Sequence, residues 1–380
     1  MKKIKVAVAG LGFIGPAHIE ALRRIPHIEV VAISDIDEET AKAKATSLGI
    51  ETYTANFDQL LTADVDSIHI CTPNNLHFSM AKKALEAGKH VICEKPLATT
   101  ITEAEELVSL ASKKQLVNAV HFNIRYYPLV RQMKIMREKG ELGEVYSVIG
   151  SYLQDWLLYN TDYNWRLEPE QSGESRAIAD IGSHLIDLLE YISGLEIVEV
   201  MADFNTIHKT RKKPLKPIET YSGKLLKTKD YADVPINTED HANVLLRFSN
   251  GNRGSITVSQ VAAGRKNRLS LEIAGSKQTY AWTSEQPNDL WIGKRDTSNN
   301  VMMRDPSLFD EAARSLISFP GGHNEGFPDT SKQLFKEVYA AIASNNPSNP
   351  TYPTFRDGLR ELVLCDRIIE SNKKRAWVKV

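Results

Sequence analysis

The sequence predicts an α/β chain with two domains: a doubly wound parallel sheet at the N-terminus, then an α+β domain built on a large, mainly antiparallel open sheet. Three observations carry this. From Ile4 to Phe122, short runs rich in Val and Ile alternate with longer amphipathic stretches. A Gly-x-Gly-x-x-Gly segment follows the first run and opens the first amphipathic stretch. After residue 123 the alternation stops, and strand-like segments follow one another without helices between them. At roughly one domain per 150 residues, 380 residues suggest two domains, here divided as 1–123 and 124–380.

The expected strands of the first domain are Ile4–Ala9, Val30–Ser34, Ser67–Cys71, His90–Cys93 and Leu116–Val120. They are nearly continuous apolar runs, as strands buried on both faces must be. The helices between them read as Ile14–Ile25, Glu38–Leu48, Phe78–Ala87 and Thr102–Ser112. Strand-helix repetition of this kind builds a parallel sheet covered on both sides. In the second domain a helix is expected over Leu129–Glu138, a strand over Val145–Tyr152, an aromatic loop over Asp155–Arg166 and a helix from near Ile181. Alternating segments follow at Ile197–Phe204, His241–Phe248, Gly254–Val261, Leu269–Ala274, Thr279–Thr283 and Leu290–Ile292. Helices return at Thr330–Ala343 and Phe355–Asn372, and Trp377–Val380 reads as a closing strand.

Composition narrows the function classes. Lys plus Arg is 47 and Asp plus Glu 48, a formal charge of −1. That balance offers no bulk field for nucleic acid or an anionic membrane, so neither is an expected partner. No apolar run reaches the roughly 18 residues of a membrane span. Lys2, Lys3 and Lys5 before Val6–Ala9 superficially resemble a secretory leader, but the apolar stretch is short and broken by glycines, and a first strand is the better reading. Cys71, Cys93 and Cys365 show neither disulfide nor zinc spacing, which fits a reduced, cytoplasmic setting. The basic stretch His208–Asp230 reads as a solvated excursion rather than a phosphate patch.

Gly10-Leu-Gly12-Phe13-Ile14-Gly15 sits where a strand turns into a helix. In that context Gly10 permits the turn, Gly12 admits a pyrophosphate, and Gly15 lets the helix pack on the sheet. The helix N-terminus supplies free N–H groups to the phosphates. Asp35, 20 residues after Gly15 at the end of the second strand, can accept from ribose hydroxyls and would repel a 2′-phosphate. NAD is therefore expected over NADP. The other reading of Asp35 is a cap for the next helix.

Ligands bind beyond the carboxyl ends of strands in such sheets. Two more strand ends should thus face the cofactor: Thr72-Pro73-Asn74 with His77, and Glu94-Lys95-Pro96. Together with the glycine motif these residues resemble the glucose–fructose oxidoreductase / inositol dehydrogenase / MocA (Gfo/Idh/MocA) family, whose fold is a Rossmann domain followed by an α+β domain. The likeness spans essentially the whole chain. It implies that Lys95 is catalytic. An amine beside an oxidised nicotinamide lies near a second positive charge, which favours its neutral form, able to take a hydroxyl proton.

The resemblance also implies a catalytic Asp-x-x-x-His pattern, here Asp180-Ile-Gly-Ser-His184. Residues four apart share a helix face. His184 would be the general base, and Asp180 would orient the substrate or tune its neighbours. Asp180 could also cap the helix. No metal is expected, because this pair has no third ligand nearby. Where many relatives carry a glycine run before the aspartate, this chain has Ser175-Arg176, which is expected to alter the pocket wall.

Aromatic and polar residues crowd the region before that helix. Asp155, Trp165 and Arg166 are candidate sugar contacts, as are Asn123 and Arg125 after the last strand of the first domain. Tyr152-Leu-Gln-Asp-Trp156, Trp282-x-x-Glu285 and Gly322-His323-Asn-Glu325 look similar to levoglucosan dehydrogenase-like sugar dehydrogenases within the family, which adds His323 as a pocket candidate. The implied reaction is NAD-dependent oxidation of a secondary hydroxyl on a sugar or polyol, at C3 of a pyranoside. The alternatives are an inositol or nucleotide-sugar dehydrogenase, or a non-catalytic NAD(H) sensor. The resemblance further implies a homo-oligomer, dimer or tetramer.

Overall fold

The computed structural model describes residues 3–215, 230–346, 348 and 350–380. The chain begins β1 (Ile4–Ala9), α1 (Ile14–Arg23), β2 (Ile28–Ser34), α2 (Glu38–Leu48), β3 (Thr52–Thr54), α3 (Phe57–Thr62), β4 (Ser67–Ile70), α4 (Asn74–Glu86), β5 (His90–Cys93), α5 (Ile101–Lys114) and β6 (Asn118–Val120). It continues α6 (Pro128–Glu138), β7 (Val145–Leu153), α7 (Pro169–Ser172), α8 (Ser183–Ser193), β8 (Ile197–Asn205), β9 (Thr210–Pro214), β10 (Tyr231–Pro235), β11 (His241–Phe248), β12 (Arg253–Ser259) and β13 (Arg268–Gly275). It ends β14 (Thr279–Thr283), β15 (Asp289–Gly293), β16 (Asn300–Met303), α9 (Glu311–Arg314), α10 (Phe327–Ala343), α11 (Phe355–Lys374) and β17 (Val378–Lys379).

Packing divides this into two compact units, Met1–Tyr126 with Phe327–Leu362, and Tyr127–Gly326 with Val363–Val380. The division expected from sequence gave all of 124–380 to the second domain. By packing, Phe327–Leu362 sits with the first, because Leu334, Phe335 and Val338 of α10 are buried and Tyr339 hydrogen-bonds to Ser67 and His69 of β4.

The first unit holds a six-stranded sheet in the order β3-β2-β1-β4-β5-β6, parallel throughout. Val6, Val8, Ile68, Ile70, Val91 and Ile92 are fully buried, as expected for strands without polar alternation. Its helices begin and end where local chemistry dictates. Asp37 accepts from Thr40 N–H to open α2, and Gly49 closes it in the left-handed conformation. Thr100 and Glu103 form a capping box on α5. β3 and α3 are too short to leave a periodic signal, and the sequence reading missed both.

The second unit carries a nine-stranded sheet, β16-β15-β14-β13-β7-β12-β11-β8-β17, with β7 and β12 parallel and the other neighbours antiparallel. One face is covered. Gly150 lies there because a Cβ would come within 2.8 Å of Leu185 of α8. On the other face, register aligns Met201, Leu245, Ser255, Ile149, Glu272, Ala281, Trp291 and Val301 in one row across eight strands. Met201, Leu245, Ile149, Trp291 and Val301 are all exposed.

The described start of the basic stretch, residues 208–215, is not the solvated excursion expected. β9 and β10 pair as an antiparallel ribbon. Arg211 is fully buried against Asp240, and Lys212 and Lys213 pair with Asp233 and Glu168. Lys216, Lys224, Lys227 and Lys229 lie outside the described residues. Among the described residues, no helix is long and apolar enough to cross a membrane.

Candidate active site

The glycine loop is shaped as its spacing implies. Gly10 has φ +87°, and a Cβ there would lie 2.6 Å from the Cys71 carbonyl, so only glycine fits. A Cβ on Gly15 would lie 2.0 Å from the Gly10 carbonyl oxygen. A Cβ on Gly12 would meet nothing within 4 Å, which leaves its backbone open to an incoming group. Phe13 is exposed and Ile14 opens α1, whose first turn carries neither an acidic residue nor a side-chain cap. These are the conditions for a pyrophosphate at a helix N-terminus. Asp35 braces the loop, accepting from Leu11 N–H at 2.9 Å and Ile36 N–H at 2.7 Å. The cap of α2 is Asp37, so the capping alternative for Asp35 is excluded. The residues present fit a dinucleotide.

The two other strand ends are tied together. His77, buried at the start of α4, sets Nε2 2.9 Å from the Thr72 carbonyl and Nδ1 2.7 Å from the Pro96 carbonyl. Burial lowers its pKa against the pull of those two carbonyls. His77 thus fastens the Thr72-Pro73-Asn74 loop to the Lys95-Pro96 loop. Lys95 is half-buried, and its backbone N–H donates to Glu94 Oε2 at 3.2 Å.

Glu94 points inward. Its Oε1 lies 3.0 Å from His18 Nε2 and 2.5 Å from His121 Nδ1. The chain of contacts goes on: His18 Nδ1 lies 2.9 Å from His69 Nδ1, His69 Nε2 2.7 Å from Tyr339 Oη, and Tyr339 Oη 2.9 Å from Ser67 Oγ. His121 Nε2 lies 2.9 Å from Ser331 Oγ. Burial alone would raise the Glu94 pKa, but the His121 and His18 contacts outweigh it and hold the carboxyl well below its usual range. Burial and neighbouring His121 push His18 down to about 4. The donor atoms of His18, Glu94 and His121 fall within 4.8 Å of one another, as metal ligands would. Their contacts, however, are at hydrogen-bond spacing and satisfy one another. Sequence reading missed this network, because its members are far apart in the chain.

In the second unit a π-helical turn, Ile178–Gly182, precedes α8. The four-residue spacing of Asp180 and His184 was expected to lie on a regular α-helix. It crosses this wider turn instead, an arrangement frequent at functional sites. Asp180 is held from two sides: Arg166 Nε donates to Oδ1 at 3.2 Å and Gln260 Nε2 to Oδ2 at 2.9 Å. Gln260 is oriented in turn by Arg176, whose Nη1 donates to its Oε1 at 3.2 Å. Arg176 does not line a pocket wall as expected. It is 1% exposed and shares Asp240 with Arg211. Burial acts to raise the Asp240 pKa, and the two guanidinium groups pull it below the usual range. Ser175 Oγ and the N–H groups of Arg176 and Ile178 all donate to Glu239 Oε1. Arg176 and Gln260 carried no local signal of this role.

The remaining candidates are placed as follows. Arg166 stacks on Trp165, its guanidinium 4.6 Å from the ring centroid. Asp155 accepts from Lys266 and from Gly264 N–H. The Asn123 amide donates to Thr330, and Arg125 pairs with Asp357, both within the first unit. His323 is exposed in a turn whose carbonyl accepts from Arg304.

A family model described as an oxidoreductase family with an NAD-binding Rossmann fold matches residues 4–122. A GFO/IDH/MocA C-terminal domain matches residues 130–281. The chain is 30% identical over 399 residues to levoglucosan dehydrogenase of Pseudarthrobacter phenanthrenivorans, covering 100% of this chain and 99% of that protein. It is 25% identical to glucose-6-phosphate 3-dehydrogenase of Bacillus subtilis, over 97% of this chain and 96% of that one. A levoglucosan dehydrogenase structure in complex with NADH and L-sorbose superposes with a TM-score of 0.89 at 29% identity, covering 100% and 99% of the two chains.

Proposed function

The chain belongs to the Gfo/Idh/MocA oxidoreductase family and has its NAD-binding Rossmann domain, and from that premise we propose that it oxidises a secondary hydroxyl of a sugar, at C3 of a pyranoside. The observation that carries this is end-to-end similarity to a protein named for a sugar, levoglucosan. A second relative is named for oxidation at position 3 of glucose 6-phosphate, which supports the choice of carbon. NAD supplies the hydride acceptor when bound. Gly12 and the N-terminus of α1 hold its phosphates in the turn that Gly10 and Gly15 shape, and Asp35 reads its ribose.

We assign Lys95 the hydrogen bond to the reacting hydroxyl and His184 the removal of its proton. Asp180, fixed by Arg166 and Gln260, orients the substrate. Lys95 belongs to the first unit and the other two to the second. Their shared service to one alcohol rests on the motifs. A nucleotide-sugar substrate is less favoured, because among the described residues of the basic stretch Arg211, Lys212 and Lys213 are already paired with carboxylates. The exposed row from Met201 to Val301 supports pairing with a second copy through the open sheet face.

The test is to mix the protein with NAD⁺ and a panel of pyranosides and inositols and follow NADH absorbance. A pyranoside should be oxidised fastest, with the 3-keto sugar as product. Lys95→Met should abolish turnover while leaving NAD affinity nearly unchanged. Tight NAD binding with no turnover on any sugar would instead favour a sensor.

A further inference from the structure

With Glu94 ionised, as the lowering of its pKa directs, the hydrogen bonds around it admit a proton assignment in which every imidazole is neutral. Ser67 donates to Tyr339, Tyr339 to His69 Nε2, His69 Nδ1 to His18 Nδ1, and His18 Nε2 to Glu94. On the other side Ser331 donates to His121 Nε2, and His121 Nδ1 donates to Glu94. Each ring carries one N–H, each of these six contacts has one donor and one acceptor, and the cluster carries the single negative charge of Glu94 in the core.

His18 from α1 and His121 after β6 touch it, its own oxygen accepts from the Lys95 N–H, and His69, Cys71, His77 and Cys93 lie close enough to feel its charge. Among the described residues these first-unit elements enclose it, and Glu94 is 7% exposed. Water screens such a charge weakly.

We propose that this buried carboxylate biases the cofactor pocket toward the oxidised, positively charged nicotinamide over the reduced, neutral one. The inference rests on the reading that the Glu94-Lys95-Pro96 loop faces the nicotinamide. A fixed negative charge favours a ring bearing +1 and is indifferent to a neutral ring, so it separates the two redox forms of one ligand. Glu94 acts here as a specificity-determining residue and takes no part in proton transfer. The imidazoles serve by holding it ionised away from solvent.

The test is to measure Kd for NAD⁺ and for NADH on the full chain and on Glu94→Gln, Glu94→Asp and Tyr339→Phe. Glu94→Gln should raise the ratio Kd(NAD⁺)/Kd(NADH) by about tenfold. Glu94→Asp keeps the charge, and Tyr339→Phe disturbs the network without removing charge, so both should leave the ratio near that of the wild type. A packing defect would weaken both forms equally, and an unchanged ratio in Glu94→Gln overturns the proposal. If Glu94→Gln does not fold, ¹⁵N spectra of the wild-type imidazoles decide: neutral His18, His69 and His121 at pH 7 support it, and a cationic ring against Glu94 overturns it. The underlying reading fails separately, by Lys95→Met retaining turnover.

Discussion

The two units support their candidate chemistry in opposite ways. Beneath Lys95 lie three imidazoles, three hydroxyls and one carboxylate, a set whose charges change with protonation. Beneath Asp180 lie two guanidinium groups sharing Asp240, with Gln260 as the link. Arginine stays charged at any ordinary pH, so the second support is permanent. The contrast teaches that a buried polar scaffold can be built either to be rigid or to be tuned, and that this chain uses one of each.

Four measurements would break or sharpen that contrast. Arg176→Met should have the largest effect, a loss of about 3–5 kcal/mol in urea unfolding, because it unbalances a buried ion cluster. A loss below about 1 kcal/mol would mean that the cluster is not a support. Next comes acid sensitivity. The folded His18 pKa, about 4, lies below the ordinary 6.5, so the unfolded chain binds more protons between those values. Stability is therefore complete above pH 6.5 and falls as the pH drops toward 4, by about 3 kcal/mol from this one residue. Burial lowers His69 in the same direction. Melting temperature followed from pH 7 to 5 should show the decline, and a flat profile would remove the tuned half of the contrast. Gln260→Leu should follow, slowing turnover about tenfold by freeing one oxygen of Asp180. A rate within twofold of wild type would show that Arg166 alone suffices. Smallest is Tyr339→Phe, expected to cost about 1 kcal/mol for the lost hydroxyl contacts.

Much of the first unit was legible because its signals are local. The apolar runs gave the strands, Gly10, Gly12 and Gly15 gave the loop, and Asp35 lies at the β2 end as expected. The nine-stranded sheet was legible in outline from alternation, although β16 was missed because it is only four residues long, and the separate β9–β10 ribbon because charged residues and prolines interrupt it. The supports under the site were illegible. His18, His69, Glu94, His121 and Tyr339 meet only because the parallel order brings β1, β4, β5 and β6 side by side. Arg176 reads as an ordinary surface residue until Asp240, 64 positions away, is placed beside it. Nor could the wide turn at Ile178–Gly182 be read, since a π-turn differs from an α-turn by one residue of hydrogen-bond spacing.

One earlier feature bears on how the protein is made. The first unit is closed by Phe327–Leu362, which a ribosome synthesises only after the second unit's whole sheet except β17. Until then a nascent chain has no Tyr339 for His69, no Ser331 for His121 and no Phe335 against the imidazoles. The N-terminal half must therefore wait, incompletely packed, for its last helices. A stalled chain ending before Phe327 should be cut by protease within that half and should bind holdase chaperones, whereas release of the finished chain should close it.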